Sequence, residues 1–221
     1  MRTVLDPLIN VLGAALDWFY GLVGDYGVAI ILLTVVLRVL MIPLTWKQTK
    51  SMYEMQRIQP KIKALQQKYK NDKQKLQEET LKFYQENKVN PFGGCLPLLL
   101  QLPIFFALFS LLRNLDAGRF WIIIPDLTSE PRQVYAADGL LAALPYLILV
   151  GLFALSVWLP QRLMPGEKQQ QQIGLYMSVF MLYFGWISPA GVLLYWVTSS
   201  AWQVAQQVVT IKYYSSSEGA K

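Results

Sequence analysis

Long apolar runs dominate this chain. Tyr26–Thr45, Leu96–Leu112 and Leu140–Leu159 are each nearly free of charge over a length that suits a membrane-crossing helix, and Ile173–Ile211 is about twice as long. A hydrocarbon core roughly 30 Å thick takes about 17–25 apolar helical residues per crossing. As a single helix the last zone would reach about 58 Å, and Ser188-Pro189-Ala190-Gly191 is a turn signal near its middle. It therefore reads as two crossings, Ile173–Ile187 and Gly191–Ile211, which makes five in all. Ile173–Ile187 has only 15 residues, so local thinning of the bilayer is expected around it. Composition agrees, since 54% hydrophobic and 15% charged residues are too apolar a mixture for a water-soluble domain. The expected fold is all-α and integral to a membrane.

The same composition narrows the chemistry. With one cysteine, Cys95, and no histidine, the chain cannot form an internal disulfide, a zinc cluster or a histidine-based acid–base pair. None of the five proposed crossings contains Asp or Glu, which removes intramembrane aspartyl proteolysis. No catalytic residue, metal site or cofactor is expected.

Charge orients the crossings, because lysine and arginine accumulate in short cytoplasmic segments. Residues 46–95 hold eleven of the basic side chains, Arg162 and Lys168 flank the 160–172 connection, and Lys212 and Lys221 lie in the tail from 212 to 221. Arg2, Arg113, Arg119 and Arg132 fall in the opposite set, which includes the loop 113–139. Five crossings with the N-terminus outside and the C-terminus in the cytoplasm fit that split. Residues 1–25 are poor as a signal core, since Asp6, Pro7, Asn10 and Asp17 interrupt them. Leu8, Leu12, Leu16, Phe19 and Val23 recur at helical spacing opposite Asp6, Asn10, Gly13 and Asp17, as in an amphipathic helix lying on the outer surface. An uncleaved leader is the alternative.

Residues 46–95 are the large polar part of the chain. Met55, Ile58, Ile62, Leu65 and Tyr69 follow a 3-4-3-4 spacing, Asn71-Asp72 marks a turn, and Leu76, Phe83 and Tyr84 mark a second helix. Two helices closing this narrow seam form a hairpin, with Pro60 expected to kink or restart the first. Eleven basic and five acidic residues make the segment net +6, the same as the whole chain. Lys61, Lys63, Lys68, Lys70, Lys73 and Lys75 suit anionic lipid headgroups or ribosomal RNA; a solvated surface that only sets topology carries the same charge. Aromatic residues are too sparse for sequence-specific RNA recognition, and no DNA partner is expected.

Arg38 is the exception within the crossings. A central arginine costs about 2.5–3.5 kcal/mol on insertion scales, and no carboxylate in any crossing can pair with it. It lies seven residues before Thr45, but side chains lean toward a helix N-terminus, away from the nearer cytoplasmic boundary. A hydrated groove, a snorkelling contact with lipid phosphate, and an ion-conducting site would each accommodate it. Thr34, four residues earlier, shares its face; Gln101, Ser199, Ser200 and Gln203 could add polar walls, or each could satisfy a neighbouring helix. An anion transporter would need a second ionisable group or an internal repeat, and neither is visible; a membrane assembly scaffold is a further alternative.

The segment "NPFGGCLPLLLQLPIFFALF", Asn90 to Phe109, closely resembles the loop and second span of the YidC/Oxa/Alb family of membrane protein insertases. The span carrying Arg38, "IQPKIKALQQKYKND" from Ile58 and "SPAGVLLYW" from Ser188 resemble it too, so the likeness covers nearly all of residues 26–212. The resemblance implies five core helices around a hydrophilic groove, open toward cytosol and lipid and closed to the outside, with Arg38 as its principal charge. It implies insertion of nascent membrane proteins into the bacterial inner membrane, with the ribosome, the Sec translocase and the signal recognition particle receptor as partners. The chain is similar to the short Gram-positive-like form, having no room for a large external domain. No lipobox cysteine precedes the first span, so either a leader is missing or the amphipathic start serves instead. Cys95 reads as a small packing residue.

Overall fold

The structure is a computed structural model that describes residues 5–87, 89, 96–113, 118–163 and 168–219. The loop from Asn90 to Cys95 lies outside the described residues, as do Arg2 and Lys221. Among the described residues there are eight helices: α1 (Asp6–Val23), α2 (Tyr26–Leu40), α3 (Ile42–Lys68), α4 (Lys73–Glu86), α5 (Leu96–Arg113), α6 (Pro131–Leu163), α7 (Lys168–Trp186) and α8 (Ala190–Gly219). No strand occurs among them; a single bridge pairs Phe120 with Ile124. The chain forms two compact units. One takes the residues up to Leu40 with Gln101–Ala205; the other takes those from Met41 to Leu100 with those from Gln206 onward.

Local sequence sets the breaks. Pro43 lacks an amide hydrogen and disfavours helical geometry just before it, so α2 stops at Leu40, Met41 forms a turn, and α3 restarts with the proline in its first turn. The run Tyr26–Thr45 is thus two helices rather than one. In α6, Gly139 has φ 81° and ψ −175°, a conformation that side-chain-bearing residues avoid. The apolar stretch expected from Leu140 begins directly after this kink. Helix α7 starts at Lys168, before the expected Ile173, because the polar run Lys168–Gln172 continues the helix. Its 19 residues reach about 28 Å, although its apolar part, Gly174–Trp186, stays short.

In the first unit, four helices each place one ring in a closed aromatic set. Trp196 of α8 meets Phe105 of α5 at 5.4 Å and Phe153 of α6 at 5.7 Å, nearly perpendicular to both, and Phe184 of α7 lies 6.4 Å from each phenylalanine. Edge-to-face rings at such distances are favoured by their quadrupoles. Phe153 is 1% exposed and Leu193 is fully buried beside the set. The outward face is the reverse of a soluble protein's. Leu141, Leu144, Ile148, Leu152 and Leu155 recur along α6 at helical spacing and are all exposed, as are Tyr176, Val179, Phe180 and Tyr183 on α7. So large an apolar surface needs hydrocarbon around it. Among the described residues, Pro131–Pro160 is long and apolar enough to cross a membrane as one helix; Gln101–Arg113 and Gly174–Trp186 are shorter apolar helices.

One end of this unit is stitched by the segment between α5 and α6. Asp25 caps α2, its Oδ1 accepting from the Val28 amide at 2.9 Å, while its Oδ2 accepts from the Trp121 amide at 2.6 Å. The Gly27 amide donates to the Arg119 carbonyl at 3.1 Å, and the Ala190 and Gly191 amides donate to the Ser129 and Leu127 carbonyls. A Cβ on Gly27 would stand 2.3 Å from the Phe120 ring, so this approach requires glycine.

In the second unit, α3 and α4 turn back on each other. Asp72 caps α4 by accepting from the Lys75 amide at 3.0 Å. Ile58, Ile62 and Val89 are buried, with Met55, Phe83 and Tyr84 packed against them. Pro60 neither restarts nor divides α3. Its position is exposed. The Gln206 side chain donates through Nε2 to Thr45 Oγ1 at 2.5 Å, and Trp46 meets Tyr213 edge to face at 5.6 Å.

Candidate functional site

Arg38 sits in the last turn of α2 and is 9% exposed. Its Nε donates to Ser199 Oγ of α8 at 2.9 Å, and its Nη2 donates to the same oxygen. A guanidinium has five donors, and those beyond these two have no partner among the described residues. No carboxylate pairs with Arg38 there either. The side chain is thus buried, charged and held by one neutral hydroxyl.

The other residues singled out in the sequence divide. Gln101 of α5 donates through Nε2 to the Tyr195 hydroxyl of α8, and Tyr195 lies one turn before Ser199, on the same face. This places Gln101, Tyr195, Ser199 and Arg38 in one polar set. Thr34 does not join it: 1% exposed, it donates to the Ile30 carbonyl of its own helix at 2.6 Å. Ser200 is half-buried and Gln203 exposed, and neither makes a side-chain hydrogen bond among the described residues. Lys61, Lys63, Lys68, Lys70, Lys73 and Lys75 are all exposed on α3, α4 and their connection. Lys68 and Lys75 hold their ammonium groups 5.1 and 5.7 Å from the Tyr69 ring centre, which gathers positive charge at the turn.

Two residues escaped the sequence reading. Tyr195 stands in "LLYW" and is not among the polar positions singled out in the sequence; its spacing of four from Ser199 is the available signal. Asp25 fell just ahead of the first apolar run, where an acidic residue before a helix is a cap signal.

Helix direction orders the levels of the site. Gln101 precedes Phe105 by one turn in α5, and Ser199 follows Trp196 by about one turn in α8. The polar set therefore lies on the side of the aromatic rings facing away from the stitched end. Such a site has no nucleophile–base pair and can do its work by binding, hydration and charge. Fold and site together define a helical membrane protein with a buried cation in its core.

Comparison with known proteins fits that class. The sequence model of the family described as 60Kd inner membrane protein matches residues 18–217. The membrane protein insertase YidC of Caldanaerobacter subterraneus subsp. tengcongensis is 38% identical over 211 residues, covering 94% of this chain and 96% of that protein. YidC of Fusobacterium nucleatum subsp. nucleatum is 40% identical over 197 residues, covering 86% and 88%. YidC of Syntrophobacter fumaroxidans is 40% identical over 210 residues and covers 92% of this chain, but the match spans only 37% of that longer relative. A crystal structure described as an active YidC insertase with its first transmembrane domain resolved superposes with a TM-score of 0.71 at 30% identity, over 95% of this chain and 47% of that one. This chain belongs to the YidC family of membrane protein insertases.

Proposed function

We propose that this chain is a membrane protein insertase of the bacterial inner membrane, which lets newly made proteins with short external segments enter the bilayer along a hydrated, lipid-open groove. The observation that carries the reading is Arg38: a buried cation with unfilled donors, held by Ser199 on the side of the core away from the stitched end. Tyr26–Thr45, broken at Met41, Leu96–Leu112, Leu140–Leu159, Ile173–Ile187 and Gly191–Ile211 are the five crossings, with the N-terminus outside and the tail in the cytoplasm. The hairpin of α3 and α4 is then cytoplasmic. Its lysines meet the ribosome and anionic headgroups, and the Sec translocase and signal recognition particle receptor are further partners.

No covalent step is required. Each Leu, Ile, Phe or Val entering the bilayer contributes about −0.3 to −0.6 kcal/mol, whereas a central Asp costs about 2.5–3.5 kcal/mol. The barrier is therefore the polar flank. The free donors of Arg38 offer that flank hydrogen bonds where hydrocarbon offers none, Ser199 fixes their direction, and the Gln101–Tyr195 pair supplies the adjacent polar groups. A potential positive outside assists a negative charge moving outward by about 2.3 kcal/mol per 100 mV.

Reconstitution tests this. The purified chain in liposomes should raise insertion of a single-span substrate with a short acidic tail while leaving small-anion flux at the lipid background. Anion flux without insertion would assign Arg38 to a transport pathway, and neither activity would leave an assembly scaffold.

A further inference from the structure

We propose that the turn Phe120–Ile124 is a lipid anchor whose tip, Trp121, Ile122 and Ile123, is seated in the outer leaflet at the boundary between headgroups and acyl chains. The inference rests on the reading of α2, α6 and α8 as crossings with this turn on the outer face.

The turn is built to present these side chains. The Ile123 and Ile124 amides both donate to the Phe120 carbonyl at 3.1 Å, and the Phe120 amide donates to the Ile124 carbonyl at 2.9 Å. Trp121 takes φ 48°, a left-handed conformation unfavourable for a bulky residue. Phe120 packs at Gly27 and Ile124 is 3% exposed, whereas Trp121, Ile122 and Ile123 are 62%, 96% and 47% exposed. From Phe120 to Pro125 there is no charged or hydrogen-bonding side chain except the indole. A loop meant for water would carry polar residues at such a tip.

Depth identifies the occupant. The Trp121 amide is bonded to Asp25, one residue before α2 begins, and the Arg119 carbonyl is bonded to Gly27. The root of the turn is therefore level with the outer end of a crossing. At that level the neighbouring medium is the bilayer interface, where tryptophan is enriched because its ring is apolar and its N–H polar. The exposed Trp18, Leu22 and Val23 of α1 lead through Gly24 into the same Asp25, so the apolar surface continues along the chain. Arg119 is exposed beside the tip, where a phosphate would lie, and the two carboxylates near the root among the described residues are already bonded: Asp25, 5% exposed, accepts from the Trp121 amide, and Asp126 accepts from Thr128 and Ser129.

The test uses the full chain in phosphatidylethanolamine–phosphatidylglycerol vesicles. In a Cys95→Ser background, single cysteines replacing Ile122, Gln133 and Ile148 carry an environment-sensitive fluorophore. Ile148, 63% exposed in α6, reports the hydrocarbon, and Gln133, exposed before the Gly139 kink, reports water. At position 122, lipids spin-labelled near the headgroup should quench about threefold more than lipids labelled near the chain end. Aqueous iodide should quench there at less than about one-third of its effect at position 133. If position 148 is quenched by the deep label while position 122 matches position 133 toward iodide, the anchor is overturned and the crossings stand. If the deep label fails at position 148, the crossing reading falls and the anchor with it. The unaltered chain gives a second measurement, independent of how Cys95→Ser folds. Hydroxyl radicals should oxidise Trp121 more slowly than the less exposed Tyr135, 48% exposed; faster oxidation of Trp121 would place the tip in water.

Discussion

Replacing Gly27 by alanine sets two effects against each other, and their sizes decide the outcome. Alanine inside a helix is favoured over glycine by about 1 kcal/mol, so propensity alone predicts a gain. The added Cβ would lie 2.3 Å from Cδ2, 2.4 Å from Cβ and 2.5 Å from Cγ of Phe120, whereas ordinary contact begins at 3.4 Å. Because one of the atoms struck is the Phe120 Cβ, turning the ring gives no relief, and the segment's backbone must retreat by about 1.1 Å, from 2.3 to 3.4 Å. That movement would stretch the 2.6 Å bond from the Trp121 amide to Asp25 beyond hydrogen-bonding reach. Overpacking costs about 1–3 kcal/mol and losing a hydrogen bond to a charged group about 1.5–3 kcal/mol, so a net loss of about 1.5–5 kcal/mol follows after the helix gain. Denaturant unfolding of the purified protein, followed by near-ultraviolet circular dichroism, measures it. Protease cleavage of the 118–130 segment from the outer side of proteoliposomes provides a local readout. A Gly27→Ala protein as stable as the parent, with the segment equally protected, would refute the steric argument.

Three further outcomes follow from the same geometry. Arg38→Lys should keep most insertion activity, because Ser199 supplies a single acceptor and no fork-matching carboxylate, while Arg38→Ala should lose about tenfold or more on acidic-tailed substrates, the size of one charge-assisted hydrogen bond; equal loss in both, at equal protein levels, would indicate bidentate recognition. Reversing Lys61, Lys63, Lys68, Lys70, Lys73 and Lys75 to glutamate should weaken ribosome binding in a salt-dependent way, and unchanged co-sedimentation would leave their charge as a topology signal only. Burial of the Asp126 carboxyl pushes its pKa up, but hydrogen bonds from Ser129 and Thr128 outweigh this and hold it below the ordinary value. A depressed folded value means that the stabilisation is full above the unfolded value of about 3.9 and is lost as pH falls through the folded one. Amide exchange at Thr128 and Ser129 should therefore be insensitive to ionisation between about pH 5 and 8 and accelerate relative to an Asp126→Asn control only below about pH 4.

Much of this was written in local pattern. Of the 3-4-3-4 series Met55, Ile58, Ile62, Leu65 and Tyr69, the first three lie on the packed face of α3, because helix periodicity and burial obey the same geometry, while Leu65 and Tyr69 lie outside that cluster. Arg38 stood out because a lone charge in an apolar run has few physical explanations. The partners of each polar residue were not legible, since they depend on which helices become neighbours. Thr34 and Ser199 read alike in sequence, yet one satisfies its own helix and the other holds the arginine. Asp25 was passed over because its decisive partner, the Trp121 amide, is 96 residues away in sequence. Pro60 was expected to kink or restart α3 on the ground of its lost hydrogen bond, yet the helix runs on through it at an exposed position.

The four rings of Phe105, Phe153, Phe184 and Trp196 have an electrical consequence. Indole and benzene faces offer no chain of hydrogen-bonding sites along which water or protons could file, so that level acts as the insulating layer of a small capacitor. In an energised membrane the voltage drops mainly across a poorly hydrated layer and little across a hydrated one. With the proposed orientation and hydrated groove, Arg38, on the far side of the rings from the stitched end, would sit near cytoplasmic potential despite its depth. A negatively charged tail would experience most of the field only after leaving the arginine, so the two forces would act in succession: capture by the cation first, and outward pull afterward.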